Sequence, residues 1–211
     1  GREIIADRGI WTAKKRYILN VYDNEGVRYE TPKLKMMGIE TAKSSTPQWV
    51  RGKLTEAFKT VMNGTEEELW DFVEYTRKDF RNLPVEDMSS PRGCNNLKQY
   101  SNTTTIYSKG TPIHVRGALL YNNELKKKNL DKRYEVVKNS DKIRFTYLTV
   151  PNPLNENVIS YINTLPKEFD LHRYVDYDLQ FDKSFIEPLK KVITLIGWNV
   201  EPVASLDSFF G

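Results

Sequence analysis

Arg8-Gly9-Ile10-Trp11-Thr12-Ala13-Lys14-Lys15-Arg16-Tyr17-Ile18-Leu19-Asn20-Val21 sets three consecutive cations inside a run that is otherwise aliphatic, β-branched and aromatic. Such flanks suit a half-buried strand. Read as one strand over residues 10–22, the run sends alternate side chains to opposite faces. Trp11, Ala13, Lys15, Tyr17, Leu19 and Val21 then share one face, and Thr12, Lys14, Arg16 and Ile18 the other. A rigid strand carrying cations on both faces can straddle a linear polyanion. It also fits a solvated edge strand whose lysines discourage pairing with another chain.

Around this stretch the charge is uneven. The 211-residue chain has a net charge of +4. Residues 1–59 carry 12 Lys/Arg against 7 Asp/Glu, and residues 88–150 carry 12 against 4. The intervening residues 60–87 and the final 151–211 are net acidic. Two basic blocks between acidic ones suggest a cationic surface, for which nucleic acid is the natural partner. No apolar run approaches the roughly 20 residues of a membrane helix, and the polar N-terminus does not read as a signal peptide. Gly1 in place of an initiator Met reads as a trimmed boundary. A single cysteine, Cys94, excludes an internal disulfide. With only two histidines besides, a zinc site is not expected.

The coarse reading is α+β. Residues 10–22 and 26–36 form a hairpin about Asp23-Asn24-Glu25-Gly26, which is turn chemistry. Lys43 to Pro47 starts a helix with a Ser or Thr cap and Pro47 in the first turn. Val50, Leu54, Ala57, Phe58 and Val61 then recur at helical spacing, and Asn63-Gly64 ends it. Thr65 to Glu68 is a capping box for a second helix striped by Leu69, Phe72, Val73, Thr76 and Phe80. Residues 84–112, rich in Pro, Ser, Asn, Thr and Gly, read as a long loop. Residues 113–121, 134–137 and 143–150 read as strands. Asn155 is expected to cap a short helix through Ile162. Residues 182–197 read as a helix that Pro188 either kinks or enters within its first turns.

Trp11-Thr-Ala-Lys-Lys-Arg-Tyr17, Lys33-Leu-Lys-Met-Met-Gly38, Ile113-His-Val-Arg-Gly117, Lys183-Ser-Phe-Ile-Glu-Pro-Leu189 and the tail Ala204-Ser-Leu-Asp-Ser-Phe-Phe-Gly211 together resemble the family B DNA polymerases of T-even-like tailed phages. The resemblance covers nearly the whole chain. It implies that residues 1–38 are the end of the palm, 39–204 the thumb, and 205–211 a tail that binds the sliding clamp. It further implies that Lys14, Lys15, Arg16 and Tyr17 hold the primer-template duplex near the primer terminus. Lys43, Ser44, Asn95, Lys98, Lys109, His114 and Arg116 are candidates for further DNA contacts. Leu206, Phe209 and Phe210 would anchor in the clamp, although a terminal apolar cluster can also simply fray. A polymerase must grip any sequence, so contacts to phosphates and to minor-groove acceptors are the chemistry to expect.

The resemblance implies DNA-directed nucleotidyl transfer during replication in the cytoplasm of an infected bacterial host. That chemistry needs paired carboxylates holding two metal ions. The tempting pair, Asp176 and Asp178 in Tyr-Val-Asp-Tyr-Asp, lacks the Thr and Ser of the family's hairpin and reads as a solvated acidic turn. The family's metal carboxylates precede the Lys-Lys-Arg-Tyr strand, outside this chain. No catalytic residue, metal site or resident cofactor is therefore expected here. Mg2+ would belong to the intact polymerase, and the isolated chain should be inactive. The expected partners are double-stranded primer-template DNA, the clamp and the remainder of the polymerase, and no membrane. A stand-alone nucleic-acid-binding module would share the basic surface but has no use for the terminal Leu-x-x-Phe-Phe.

Overall fold

A computed structural model describes residues 3–203. In chain order the elements are β1 (Ile4–Ala13), β2 (Arg16–Asn24), β3 (Val27–Met37), α1 (Gln48–Asn63), α2 (Glu66–Phe80), α3 (Val85–Met88), β4 (Ser90–Cys94) and α4 (Leu97–Tyr100). They continue with β5 (Ser101–Asn102), β6 (Ile106–Tyr107), α5 (Ile113–Lys127), β7 (Asp141–Tyr147), β8 (Val158–Tyr161), α6 (Tyr177–Phe181) and α7 (Glu187–Ile193). The fold class is α+β, as the sequence indicates. Among the described residues, 3–79 and 182–203 form one compact unit and Phe80–Phe181 another.

The first unit is built on an antiparallel sheet in the order β1-β2-β3. Expected as one strand, residues 10–22 instead contain a chain reversal. Ala13 pairs with Arg16 and Trp11 with Tyr17, so Lys14 and Lys15 are the two-residue turn. Lys15 takes φ +61. The single-strand facing of Lys14, Lys15 and Arg16 is thereby corrected. Ile10, Ile18 and Met36 lie in register on one face, where Ile18 and Asn20 are fully buried. On that side Arg8 donates to the Met62 carbonyl at 2.6 Å. Asn20 Nδ2 reaches Asp7 at 2.9 Å and Asn63 at 3.2 Å, tying the sheet to the end of α1. The turn at 23–26 forms as read, with Asp23 Oδ1 accepting the Gly26 amide at 2.7 Å.

Helix α1 buries the stripe Val50, Leu54, Ala57, Phe58 and Val61 and ends at Gly64. Its start differs from expectation. Pro47 itself is the N-cap and no Ser or Thr side chain caps the helix. Helix α2 opens on the capping box: Thr65 Oγ1 accepts the Glu68 amide and Glu68 Oε2 accepts the Thr65 amide. Two orphan donors of the first turn are thus satisfied reciprocally. The expected helix over 182–197 is a π-helical turn (Asp182–Ile186), then α7, then a 3-10 turn ending at Gly197 with φ +75. Pro188 is the second residue of α7, which continues without a break from the π-helical turn, so its missing N–H falls inside a continuous helical segment.

In the second unit the sheet order is β4-β7-β8, all antiparallel. Residues 84–112 are not one loop. They hold α3, β4, α4 and the small β5-β6 ribbon. Residues 113–121, expected as a strand, belong to α5. Val115, Ala118, Leu119 and Leu125 bury one helical face, and Pro112 is the N-cap. Residues 134–137 are irregular rather than a strand. Asn122 satisfies Val137 instead, donating to its carbonyl and accepting its amide, each at 2.9 Å. Asn155 takes φ +51 in the turn before β8 and caps no helix. Cys94 is buried, and burial pushes its thiol up to about 11, with the charge of Asp141 acting in the same direction.

Helix α5 lies directly on β8. A Cβ on Gly117 would collide with Ser160 Oγ and stand 2.7 Å from the Ser160 amide nitrogen. Only a glycine lets the helix come this close, and Ser160 Oγ donates to the His114 carbonyl at 2.8 Å across the same contact. Gly117→Ala should therefore destabilise the second unit by about 1–3 kcal/mol, the usual range for overpacking. A lowered urea midpoint for that unit, followed by the near-ultraviolet signal of its tyrosines, would check this.

Candidate nucleic-acid interface

In the first unit the candidate residues gather around the β1-β2 turn. Lys14, Lys15 and Arg16 are all exposed. Tyr17 is half-buried, paired across the strands with Trp11 on one side and Met37 on the other. Trp11 is 64% exposed and Met37 44%. Trp11, Tyr17 and Met37 thus form an open apolar row beside a cationic tip. The Trp11 indole folds back over Gly9, where an added Cβ would stand 2.6 Å from Trp11 Cη2 and 2.8 Å from Leu19 Cδ2. Lys33 and Lys35 continue the cationic character along β3, with Lys33 Nζ 4.2 Å from the Tyr29 ring centroid.

The turn is held in place by the chain that follows β3. Gly38 has φ +67, and a Cβ there would lie 2.7 Å from the Lys15 carbonyl oxygen and 2.8 Å from Arg16 Cγ. Both the backbone angle and the close approach require glycine. Thr12 Oγ1 adds a weak bond to the Arg16 carbonyl at 3.4 Å. Left-handed backbone at Lys15 costs about 1–2 kcal/mol, so the surrounding contacts must offset it.

Lys43 forms an ion pair with Glu40 at 3.0 Å. Ser44 is exposed but caps nothing. Pro47, as N-cap, offers no side-chain acceptor to the first amides of α1.

Among the second unit's candidates, Asn95, Lys98 and Lys109 are exposed. His114 and Arg116 are half-buried on α5, not on a strand. Arg116 is already engaged. It donates to Asn157 Oδ1 at 2.6 Å and its guanidinium sits 5.6 Å from the Tyr107 ring, whose hydroxyl donates to Glu156 at 2.7 Å. His114 faces the Phe145 ring at 6.3 Å, and Arg92 lies over the same ring at 5.6 Å. Arg92 falls within the 84–112 segment whose composition reads as loop. Its placement on β4 beside His114 comes from the β4-β7 pairing.

Burial, then the charge of Arg92, pulls His114 below the ordinary imidazole value, while a hydrogen bond with the Gly93 backbone opposes them. A neutral imidazole offers one N–H donor. The same burial lowers Arg92 itself.

The acidic pair has structural duties. Asp176 Oδ1 accepts the Leu179 amide at 3.0 Å at the start of α6, and Asp178 pairs with Arg81 at 2.8 Å. Among the described residues, no three His, Cys, Asp or Glu side chains gather as metal ligands do, and no helix is long and apolar enough to cross a membrane. Leu206, Phe209 and Phe210 lie outside the described residues.

Known proteins similar to this chain are phage DNA polymerases, in line with the resemblance carried by the motifs. The DNA-directed DNA polymerase of Enterobacteria phage T4 is 32% identical over 207 residues, and that of Escherichia phage RB69 is 36% identical over the same length. Each alignment covers 96% of this chain and 22% of the relative, so the chain spans about a fifth of the length of the polymerases it matches. No protein-family profile matches the chain.

The lowered His114 value makes a prediction about pH. Just below the ordinary value of 6.5 the unfolded chain holds a proton that the folded chain lacks. Stability therefore falls as pH drops through that value toward the lower folded one. His114→Gln should flatten this part of the profile, seen as a smaller loss of melting temperature between pH 7 and pH 5.

Proposed function

We propose that this chain is the duplex-gripping portion of a family B phage DNA polymerase. In this reading residues 1–38 close the palm, 39–204 form the thumb, and 205–211 tether the enzyme to the sliding clamp. The observation that carries the proposal is the exposed Lys14–Lys15 turn with Arg16, set beside the open row Trp11, Tyr17 and Met37. Cations on a rigid two-residue turn reach phosphates without reading sequence. Flat apolar side chains next to them suit packing against sugars and a terminal base. Tyr17 would feel the terminal pair, so a mispaired primer end would lose contacts that a correct one keeps.

Nucleotidyl transfer in the intact enzyme would use Mg2+ held by carboxylates elsewhere in the polymerase, and this chain alone would bind without catalysing. Its setting would be replication in the cytoplasm of the infected host. Asn95, Lys98 and Lys109 are exposed and uncommitted enough to meet phosphates. Arg116 is held to Asn157 and Tyr107, which suits shaping that surface.

Phosphate contacts make affinity depend on salt, with log K falling by about 0.9 per log unit of salt for each neutralised phosphate. Lys14→Ala with Lys15→Ala should weaken binding to primer-template duplex and lower that slope by about 2. An unchanged slope in fluorescence anisotropy titrations from low to moderate salt would remove these lysines from the interface. Separately, deleting residues 206–211 should abolish capture by the cognate clamp and leave duplex affinity within error. Retained capture on an immobilised clamp would assign tethering to another surface.

A further inference from the structure

The second unit contains a cleft of about 550 Å³ that shares no residue with the proposed duplex contacts. This volume lies within the roughly 300–1,000 Å³ typical of small-ligand sites. Glu86, Arg133, Tyr134, Lys167, His172 and Tyr177 line it. The geometry points to a nucleotide site, taking a base against the lining tyrosines and its phosphate on the rim cations.

Much of the lining is fixed before any ligand arrives. Arg133 donates to Glu168 Oε1 at 2.6 Å, and the Tyr134 hydroxyl donates to Glu168 Oε2 at 2.8 Å. The Arg133 guanidinium also lies 5.5 Å from the Tyr134 ring centroid. Tyr177 donates to the Leu83 carbonyl at 2.7 Å and meets the Phe80 ring edge-on at 6.1 Å. Both aromatic walls are therefore held in set orientations, and a preorganised wall loses little freedom on binding.

The polar groups divide by charge. Lys167 and His172 are exposed on neighbouring 3-10 turns and both line the cleft. Glu86 takes the Leu165 amide on Oε1 at 3.3 Å, and a carboxylate has further acceptor capacity. Aromatic faces accept stacked bases, the carboxylate accepts base N–H groups, and lysine and histidine donate to phosphate. An acidic peptide would also meet the cations, but its carboxylates would be repelled by Glu86. Free nucleotide and a unit of single-stranded nucleic acid present the same chemistry.

The test is calorimetry on the full chain with GMP, the trinucleotide d(TGT), inorganic phosphate and a glutamate-rich peptide. Saturable GMP binding is expected. Lys167→Ala with His172→Ala should weaken it at least tenfold, and Glu86→Gln at least threefold, with unchanged melting curves. Tighter binding of d(TGT) than of GMP assigns the site to a strand, and equal binding assigns it to free nucleotide. No saturable GMP binding overturns the proposal. So does equal binding of phosphate or of the peptide, or an unaltered affinity in the Lys167/His172 double variant. The Lys14/Lys15 double variant should keep its GMP affinity. If it loses that affinity, the signal arises at the β1-β2 turn and the cleft assignment fails, whatever the outcome for duplex binding.

Discussion

Strand pairing between β1 and β2 fixes where the positive charge goes. Once Trp11 stands opposite Tyr17 and Ala13 opposite Arg16, only Lys14 and Lys15 remain to reverse the chain. A two-residue reversal demands an unusual backbone angle, and Lys15 supplies it at φ +61. The same register puts Ile10, Ile18 and Met36 on the buried face and leaves Trp11, Tyr17 and Met37 on the open one. A slip of one residue would exchange the two sets. On the buried face Asn20 Nδ2 donates to Asp7 and Asn63 while its Oδ1 has no hydrogen-bond partner among the described residues, and the exposed Arg8 donates to the Met62 carbonyl.

In the second unit the governing contact is helix on sheet. Gly117 lets α5 settle on Ser160, and that depth determines where the first turn of α5 ends up. His114 is thereby brought against Phe145 and Arg92, and Arg116 against Tyr107 and Asn157. These two residues serve the unit's own packing as well as its surface. Burial and a nearby guanidinium both disfavour charge on His114.

Much of the architecture was legible in the sequence where local chemistry and tertiary packing agree. The capping box at Thr65 and Glu68, the apolar stripe of α1 and the Asp23–Gly26 turn each carry their own signal. The Lys14–Lys15 turn carries none, since neither residue is a turn former and the flanks read as uninterrupted strand. Ile113-His-Val-Arg alternates like a strand for four residues, and only the longer spacing of Val115, Ala118, Leu119 and Leu125 marks a helix. Residues 84–112 look like loop because Pro, Ser and Gly dominate, yet pairing with β7 recruits Ser90–Cys94 into a sheet. For the candidate interface, the motif around Lys14 to Tyr17 stood out by wording. The neighbourhood of Arg92 depends on a partner about fifty residues away and has no local mark.

Cys94 has a practical consequence. At pH 7 a thiol with a value near 11 is ionised in about one molecule in ten thousand, and this one is also shut away from solvent. Maleimides and other electrophiles attack the thiolate, so the native sulfur is close to inert toward them. A cysteine installed at an exposed position such as Lys98 would take a fluorophore or spin label essentially alone. The natural sequence thus already provides a silent background for reporting distances within each unit.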